Sequence, residues 1–181
     1  RSASAAKVLG KKTGIPVIVN DLGAFCGANN TSRHDMTARE AFDEQTSASL
    51  KEFNVDMIVM AGYGSLVTTP LLARYLVINL HLADLSIRGA DGIPLFTGLT
   101  PIDDARAAGE SVIAASVHIA TERMDEGPVL MISEKVDAEE NEKIATAATD
   151  VLARTVTAIA AGRFARDNDT IFYDGAALVR P

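Results

Sequence analysis

Two nearly continuous apolar runs, Val55-Asp56-Met57-Ile58-Val59-Met60-Ala61 and Leu76-Val77-Ile78-Asn79-Leu80, limit the folds open to this chain more than any other feature. Strands that are apolar on both sides of the pleat need cover on both faces, as in α/β sheets. Between them lie Gly62-Tyr63-Gly64 and a short helix-prone piece at residues 70–75, so strand, helix and strand read as a parallel βαβ unit.

The flanking segments fit that reading. Residues 2–11 are Ala-rich and helix-prone. Gly14 then stops that helix, and Ile15-Pro16-Val17-Ile18-Val19 reads as a short buried strand. Residues 20–33, rich in Gly, Asn, Ser and Asp, read as a loop. A helix is expected over 35–53, with Asp35 as N-cap, Phe42, Leu50 and Phe53 on its buried face and Asn54 as its stop. Beyond an irregular stretch at 84–100, Pro101 opens a helix running to about residue 108, with Thr100 as its cap. Strands at 112–120 and 129–136 flank the turn Asp125-Glu126-Gly127-Pro128. A helix over 139–161 carries Ile144, Ala148, Val151, Thr155 and Ile159 on one stripe and ends at Gly162, and the tail reads as a hairpin around Asp174-Gly175.

The chain has 181 residues, which suits one domain spanning 1–181. Seventeen basic against 24 acidic side chains give a net charge of −7, and no Lys/Arg run occurs, so no nucleic-acid or membrane partner is expected. One cysteine, Cys26, cannot close an intrachain disulfide, which fits a reducing, cytoplasmic location. No run reaches membrane-spanning length.

Chemistry-bearing residues collect after the second apolar run. Asn79 and His81 alternate onto the same side at the C-terminal end of a strand, where open α/β sheets bind ligands. An amide donor and an imidazole there can polarise a carbonyl and hold its developing oxyanion, although a strand-end His also serves purely structural roles. Asp125, on a tight turn beside a strand, can orient an imidazole or accept a proton, or can simply be a turn former. His118, inside Ser116-Val117-His118-Ile119-Ala120, reads equally as a core histidine or as a support for His81 or Asp125. No His-Glu-x-x-His or paired-Cys spacing occurs, so no metal is expected. Neither Gly-x-Gly-x-x-Gly nor a nucleoside-triphosphate loop is present.

The order Val55 to Gly64, Asn79-Leu80-His81, Ser116-Val117-His118-Ile119, then Met124-Asp125-Glu126-Gly127-Pro128, resembles the folate-dependent formyltransferase family, with phosphoribosylglycinamide formyltransferases as its nearest relatives. The resemblance implies a three-layer, Rossmann-like formyltransferase fold, α/β with a mostly parallel sheet and antiparallel C-terminal strands. It implies formyl transfer from 10-formyltetrahydrofolate to the amine of a small, glycinamide-ribonucleotide-like metabolite of purine biosynthesis. Asn79, His81 and Asp125 map onto the family's catalytic residues and His118 onto a supporting one, while Leu66, Val67, Ala120, Thr121 and Asp125 would meet the folate.

The chain departs from the family at several places. The family's N-terminal strand and phosphate loop are expected to be missing before Arg1. Leu82-Ala83-Asp84-Leu85-Ser86 stands where the family reads Pro-Ser-Leu-Leu-Pro, Ala148 and Thr149 stand where ribonucleotide-binding members carry Glu-His, and Ser65 replaces an Arg. Two other readings stand beside transfer: hydrolysis of the same donor, and a catalytically silent ligand-binding or interaction domain. An open sheet edge would need a second copy of the chain or a covering segment.

Overall fold

The apolar run at 76–80 becomes an inner strand of the main sheet in the computed structural model of this chain, which describes the backbone of residues 2–167, 170–173 and 176–177 and the side chains of residues 6–163. Two compact units make up the chain, Arg1–Val55 and Asp56–Pro181.

The first unit is helical: α1 (Ser2–Thr13), α2 (Leu22–Ala28), α3 (Met36–Leu50) and a 3-10 turn at Lys51–Phe53. Asp35 caps α3 as expected, its carboxylate accepting from the amides of Thr37 at 2.9 Å and Ala38 at 3.2 Å. Two expectations are corrected in this unit. Residues 20–33 contain α2, whose N-cap Asp21 accepts from the Ala24 amide at 2.9 Å, so a polar, Gly-containing stretch hid a capped helix. Residues 15–19 are not a strand: Ile15, Val17, Ile18 and Val19 are exposed, and among the described residues no strand offers them a hydrogen-bonded partner. Phe53, expected on the buried face of α3, is exposed. That face is formed instead by Arg39, Phe42, Asp43 and Ser47, with the Phe42 ring set edge-on to Phe25 at 5.5 Å.

The second unit contains β1 (Met57–Ala61), α4 (Thr69–Leu72), β2 (Leu76–His81), α5 (Pro101–Ala107), β3 (Val112–Ile113), β4 (Ser116–Ile119), β5 (Val129–Ile132), β6 (Val136–Asp137) and α6 (Asn141–Ala160). It also contains a small antiparallel sheet of β7 (Phe164–Asp167), β8 (Thr170–Tyr173) and β9 (Ala176–Ala177). The expected turn at Asp174-Gly175 lies outside the described residues. The main sheet has the order β1-β2-β4-β5, with β1 parallel to β2 and the next two pairings antiparallel. The α/β architecture on a mixed sheet is therefore as expected, but the antiparallel part begins at β4, earlier than the last strands. The run 112–120 is not one strand: β3 pairs with β6 in a separate two-stranded sheet, while β4 joins the main one.

Two apolar clusters hold this unit. Ile78, Val117 and Leu130 from the sheet, with Ala115 just before β4, pack against Ala148 and Val151 of α6, the stripe read from the sequence. Phe96, Ala83, Ala105, Ile113, Ala138 and Ile144 form the second cluster, under the loop that follows β2. Ile78 is fully buried at the centre of the first cluster. Ile78→Ala should lower unfolding free energy by about 2–5 kcal/mol and Ile78→Val by about 1 kcal/mol, read as shifts of the urea midpoint at unchanged slope.

Candidate active site

Strand geometry places the first two candidate residues. Asn79 and His81 are two apart on β2, so both project from one face, and the antiparallel register sets Asn79 directly opposite His118 of β4. Between Val117 and His118 the pairing of β4 with β5 slips, an irregularity of the kind that re-aims a side chain.

Asp125 arrives from the turn between β4 and β5. Its φ of +57° lies in the left-handed region, which Asp tolerates better than most residues. Two residues on, a Cβ at Gly127 would run into the Ile119 carbonyl oxygen, so only glycine lets the turn lie this close to β4. The same Ile119 carbonyl accepts from His118 Nδ1 at 3.0 Å. The Asp-x-Gly-Pro signature thus has a mechanical meaning: it folds the carboxylate back onto the strand that carries His118.

These residues converge on one atom. Asp125 Oδ1 lies 3.4 Å from Asn79 Nδ2, 3.5 Å from His81 Nδ1 and 3.5 Å from His118 Nε2. Its second oxygen, Oδ2, accepts from the Gly98 amide at 2.8 Å. His81, His118 and Asp125 are 5%, 2% and 7% exposed, so the cluster is cut off from bulk solvent on most sides. They floor a cleft of about 300 Å³ whose walls include all the residues expected to meet a folate, Leu66, Val67, Ala120 and Thr121.

The partners fix where the protons sit. The Phe96 carbonyl, 2.6 Å from His81 Nε2, can only accept, so His81 carries its hydrogen on Nε2. Likewise, the Ile119 carbonyl holds the hydrogen of His118 on Nδ1. In the neutral ring the remaining nitrogen, Nε2, accepts from Asn79 Nδ2 at 3.1 Å. Burial, more than any other influence, pushes His81 below its ordinary value, against the pull of the Asp125 charge and the Phe96 carbonyl. Burial also works to raise Asp125 and is its largest single influence. Contact with a protonated His118 ring, the Gly98 amide and the charge that either imidazole carries when protonated more than offset it, so the carboxyl sits below its ordinary value and stays ionised. A neutral His81 beside an ionised Asp125 leaves Nδ1 and Oδ1 as two facing acceptors with no hydrogen between them, a slot for one proton.

The site residues singled out in sequence, Asn79, His81, His118 and Asp125, are all brought together. Phe96 and Gly98 were missed, because they act through main-chain groups that leave no residue-type signature. Among the described residues no group of His, Cys, Asp or Glu stands where it could hold a metal, and no helix is long and apolar enough to cross a membrane.

Residues 2–158 match the family model described as formyl transferase. The chain is 33% identical over 84 residues to a formyltetrahydrofolate deformylase from Synechocystis sp., covering 46% of this chain and 27% of that protein. It is 33% identical over 128 residues to a methionyl-tRNA formyltransferase from Clavibacter sepedonicus, covering 66% of this chain and 39% of that protein. It thus spans well under half the length of either curated relative. Among solved structures, glycinamide ribonucleotide transformylase 1 from Symbiobacterium toebii shares the fold, with a TM-score of 0.66 at 24% identity over 91% of this chain and 72% of that one.

Two outcomes follow from the site's construction. Gly127→Ala should cost about 3 kcal/mol of stability by urea denaturation, because main chain rather than a flexible side chain must give way. Stability should also fall with acid in two windows. The folded state binds fewer protons than the unfolded one at both groups, so stability is lost as pH drops below 6.5 towards the depressed His81 value, and again below 3.8 for Asp125. Thermal melts against pH should lose the upper window in His81→Phe and the lower one in Asp125→Asn.

Proposed function

The chain belongs to the formyl transferase family, and from that premise we propose that its cleft takes 10-formyltetrahydrofolate and passes the formyl group to the amine of a small metabolite. The observation that carries this reading is the convergence of Asn79, His81 and His118 on Asp125 Oδ1 at the floor of the cleft. The walls suit the donor: a flat pterin needs apolar sides with main-chain groups along its edge, and Leu66, Val67, Ala120 and Thr121 line the cleft.

When bound, the donor supplies an electrophilic carbon to which the amine adds, its oxygen taking negative charge before the bond to the folate nitrogen breaks and the shed proton ends on that nitrogen. Asn79 Nδ2 is the donor for that oxygen. One of its hydrogens is held by His118 Nε2, while the other reaches Asp125 Oδ1 only at 3.4 Å and is the one a substrate oxygen can compete for. The proton leaving the amine enters the slot between His81 Nδ1 and Asp125 Oδ1. It turns two facing acceptors into an ion pair, a gain that recovers part of the burial cost of the imidazolium. His81 Nε2 stays committed to the Phe96 carbonyl throughout, so the ring works through Nδ1 alone.

The acceptor, in the finer proposal, is glycinamide-ribonucleotide-like, which would place the enzyme in cytoplasmic purine biosynthesis. Among the described residues lining the cleft the fixed positive charge is Arg123, drawn to Glu126 at 3.4 Å, so a phosphate on the acceptor would have to compete for it. Hydrolysis is the second reading, favoured by the likeness to a deformylase: water takes the amine's place and uses the same proton slot.

His81→Ala should reduce turnover of 10-formyltetrahydrofolate by about 10²-fold or more while folate-analogue affinity by calorimetry changes less than about threefold. Formyl loss that depends on added amines supports transfer, and loss without amine supports hydrolysis. Near-normal turnover by His81→Ala would refute the proposed roles.

A further inference from the structure

We propose that the main chain of residues 96–98 is the positioning element of the cleft and that Gly98 is the positioning residue on which it turns. This deepens the formyl-transfer reading and rests on it for its kinetic consequence. Within two residues the backbone presents an acceptor and a donor to opposite members of the proton slot. The Phe96 carbonyl takes His81 Nε2–H at 2.6 Å, and the Gly98 amide donates to Asp125 Oδ2 at 2.8 Å. Each bond claims the outer atom of its partner, so the inner atoms, Nδ1 and Oδ1, are left facing each other at 3.5 Å. The Phe96 side chain, 7% exposed, is locked into the second apolar cluster with Ala83, Ala105, Ile113, Ala138 and Ile144, so core packing sets the carbonyl's position.

Gly98 then turns the chain with a φ of +90°, a conformation that L side chains rarely adopt. A Cβ there would meet nothing within 4 Å, so replacing this glycine strains the backbone without a clash and acts on the direction of the amide. The charged and titratable groups facing Asp125 are His81 from β2 and His118 from β4, with Asn79 as the neutral third neighbour. Loss of the Gly98 donor leaves the carboxylate less favoured against its protonated form.

Gly92 supplies the control. It lies in the same loop with a φ of +78° and open space for a Cβ, but its amide donates to Gly89 and its carbonyl accepts from Arg88, away from the cleft. The experiment measures kcat and KM for 10-formyltetrahydrofolate against pH in the full chain, and titrates the Asp125 carboxyl carbon and His81 ring nitrogens by NMR. Gly98→Ala should lower kcat about tenfold or more with KM within about twofold, move the acid limb of kcat to higher pH, and raise the Asp125 titration. Gly98→Asn, whose side chain tolerates positive φ, should restore most of kcat and the acid limb, and Gly92→Ala should stay within about twofold of the parent. Equal losses in Gly98→Ala and Gly92→Ala, or an unmoved acid limb and Asp125 titration in Gly98→Ala, would overturn the proposal. A parent protein that does not turn over formyl-folate sinks the functional reading instead, and the NMR titrations of parent and variants then decide the positioning role alone.

Discussion

A negative charge has to persist on Asp125 although the side chain is almost wholly withdrawn from water, and the second unit is arranged around that requirement. An ionised carboxylate in such a place is costly unless nearly every lone pair finds a donor or a partial positive charge. Two donors reach it, the Asn79 amide from β2 at 3.4 Å and the Gly98 amide from the loop after β2 at 2.8 Å, and the rings of His81 from β2 and His118 from β4 stand 3.5 Å away, where a proton taken up on either would add positive charge beside it. The carboxylate depends on all of them at once, which ties local sheet geometry to the electrostatics of the cleft.

Packing reaches the site by two routes. The first cluster fixes β2 and β4 through Ile78 and Val117, both fully buried, and so sets the distance between Asn79 and His118. The second cluster fixes Phe96, and with it the tautomer of His81. Ser116, opposite His81 in the register, joins the routes: its hydroxyl donates to the Ala83 carbonyl at 2.8 Å and accepts from the Leu85 amide at 3.0 Å, sewing the start of the loop to β4. A buried serine at the start of β4 thus has a task that a valine there could not perform.

What was legible in the sequence was whatever side-chain pattern controls. The apolar runs located β1 and β2, alternation put Asn79 and His81 on one face, and the stripe on α6 was read correctly at Ile144, Ala148, Val151 and Thr155. Asp125 was found through a turn signature whose glycine is demanded by the approach to Ile119. The misses share a different cause. Residues 15–19 have strand-like composition, but a strand exists only where a neighbour completes its ladder, which composition does not report. The run 112–120 looked continuous because apolarity does not reveal that β3 and β4 belong to different sheets. Phe96 and Gly98 contribute a carbonyl and an amide that almost any residue possesses; what singles them out is position and, at Gly98, a positive φ.

In the proposed reaction the floor of the cleft does not choose between amine and water as the nucleophile. Either sheds one proton on attack, and the slot between His81 Nδ1 and Asp125 Oδ1 takes one proton from either. Selection therefore belongs to the walls, which decide whether water stays beside the reacting carbon once the donor is bound. The loop that orients the slot also supplies part of that wall. Leu99, next to Gly98, is 73% exposed, yet its Cδ2 would lie 3.0 Å from a Cβ placed on Gly64. The loop thus reaches across to the segment after β1 at the rim of the cleft, and the bare backbone at Gly64 is what gives the leucine room. A single stretch of main chain sets the proton slot at the floor and carries an apolar side chain to the mouth. In the proposed reading, residues 96–99 therefore touch both the slot and the rim of the cleft.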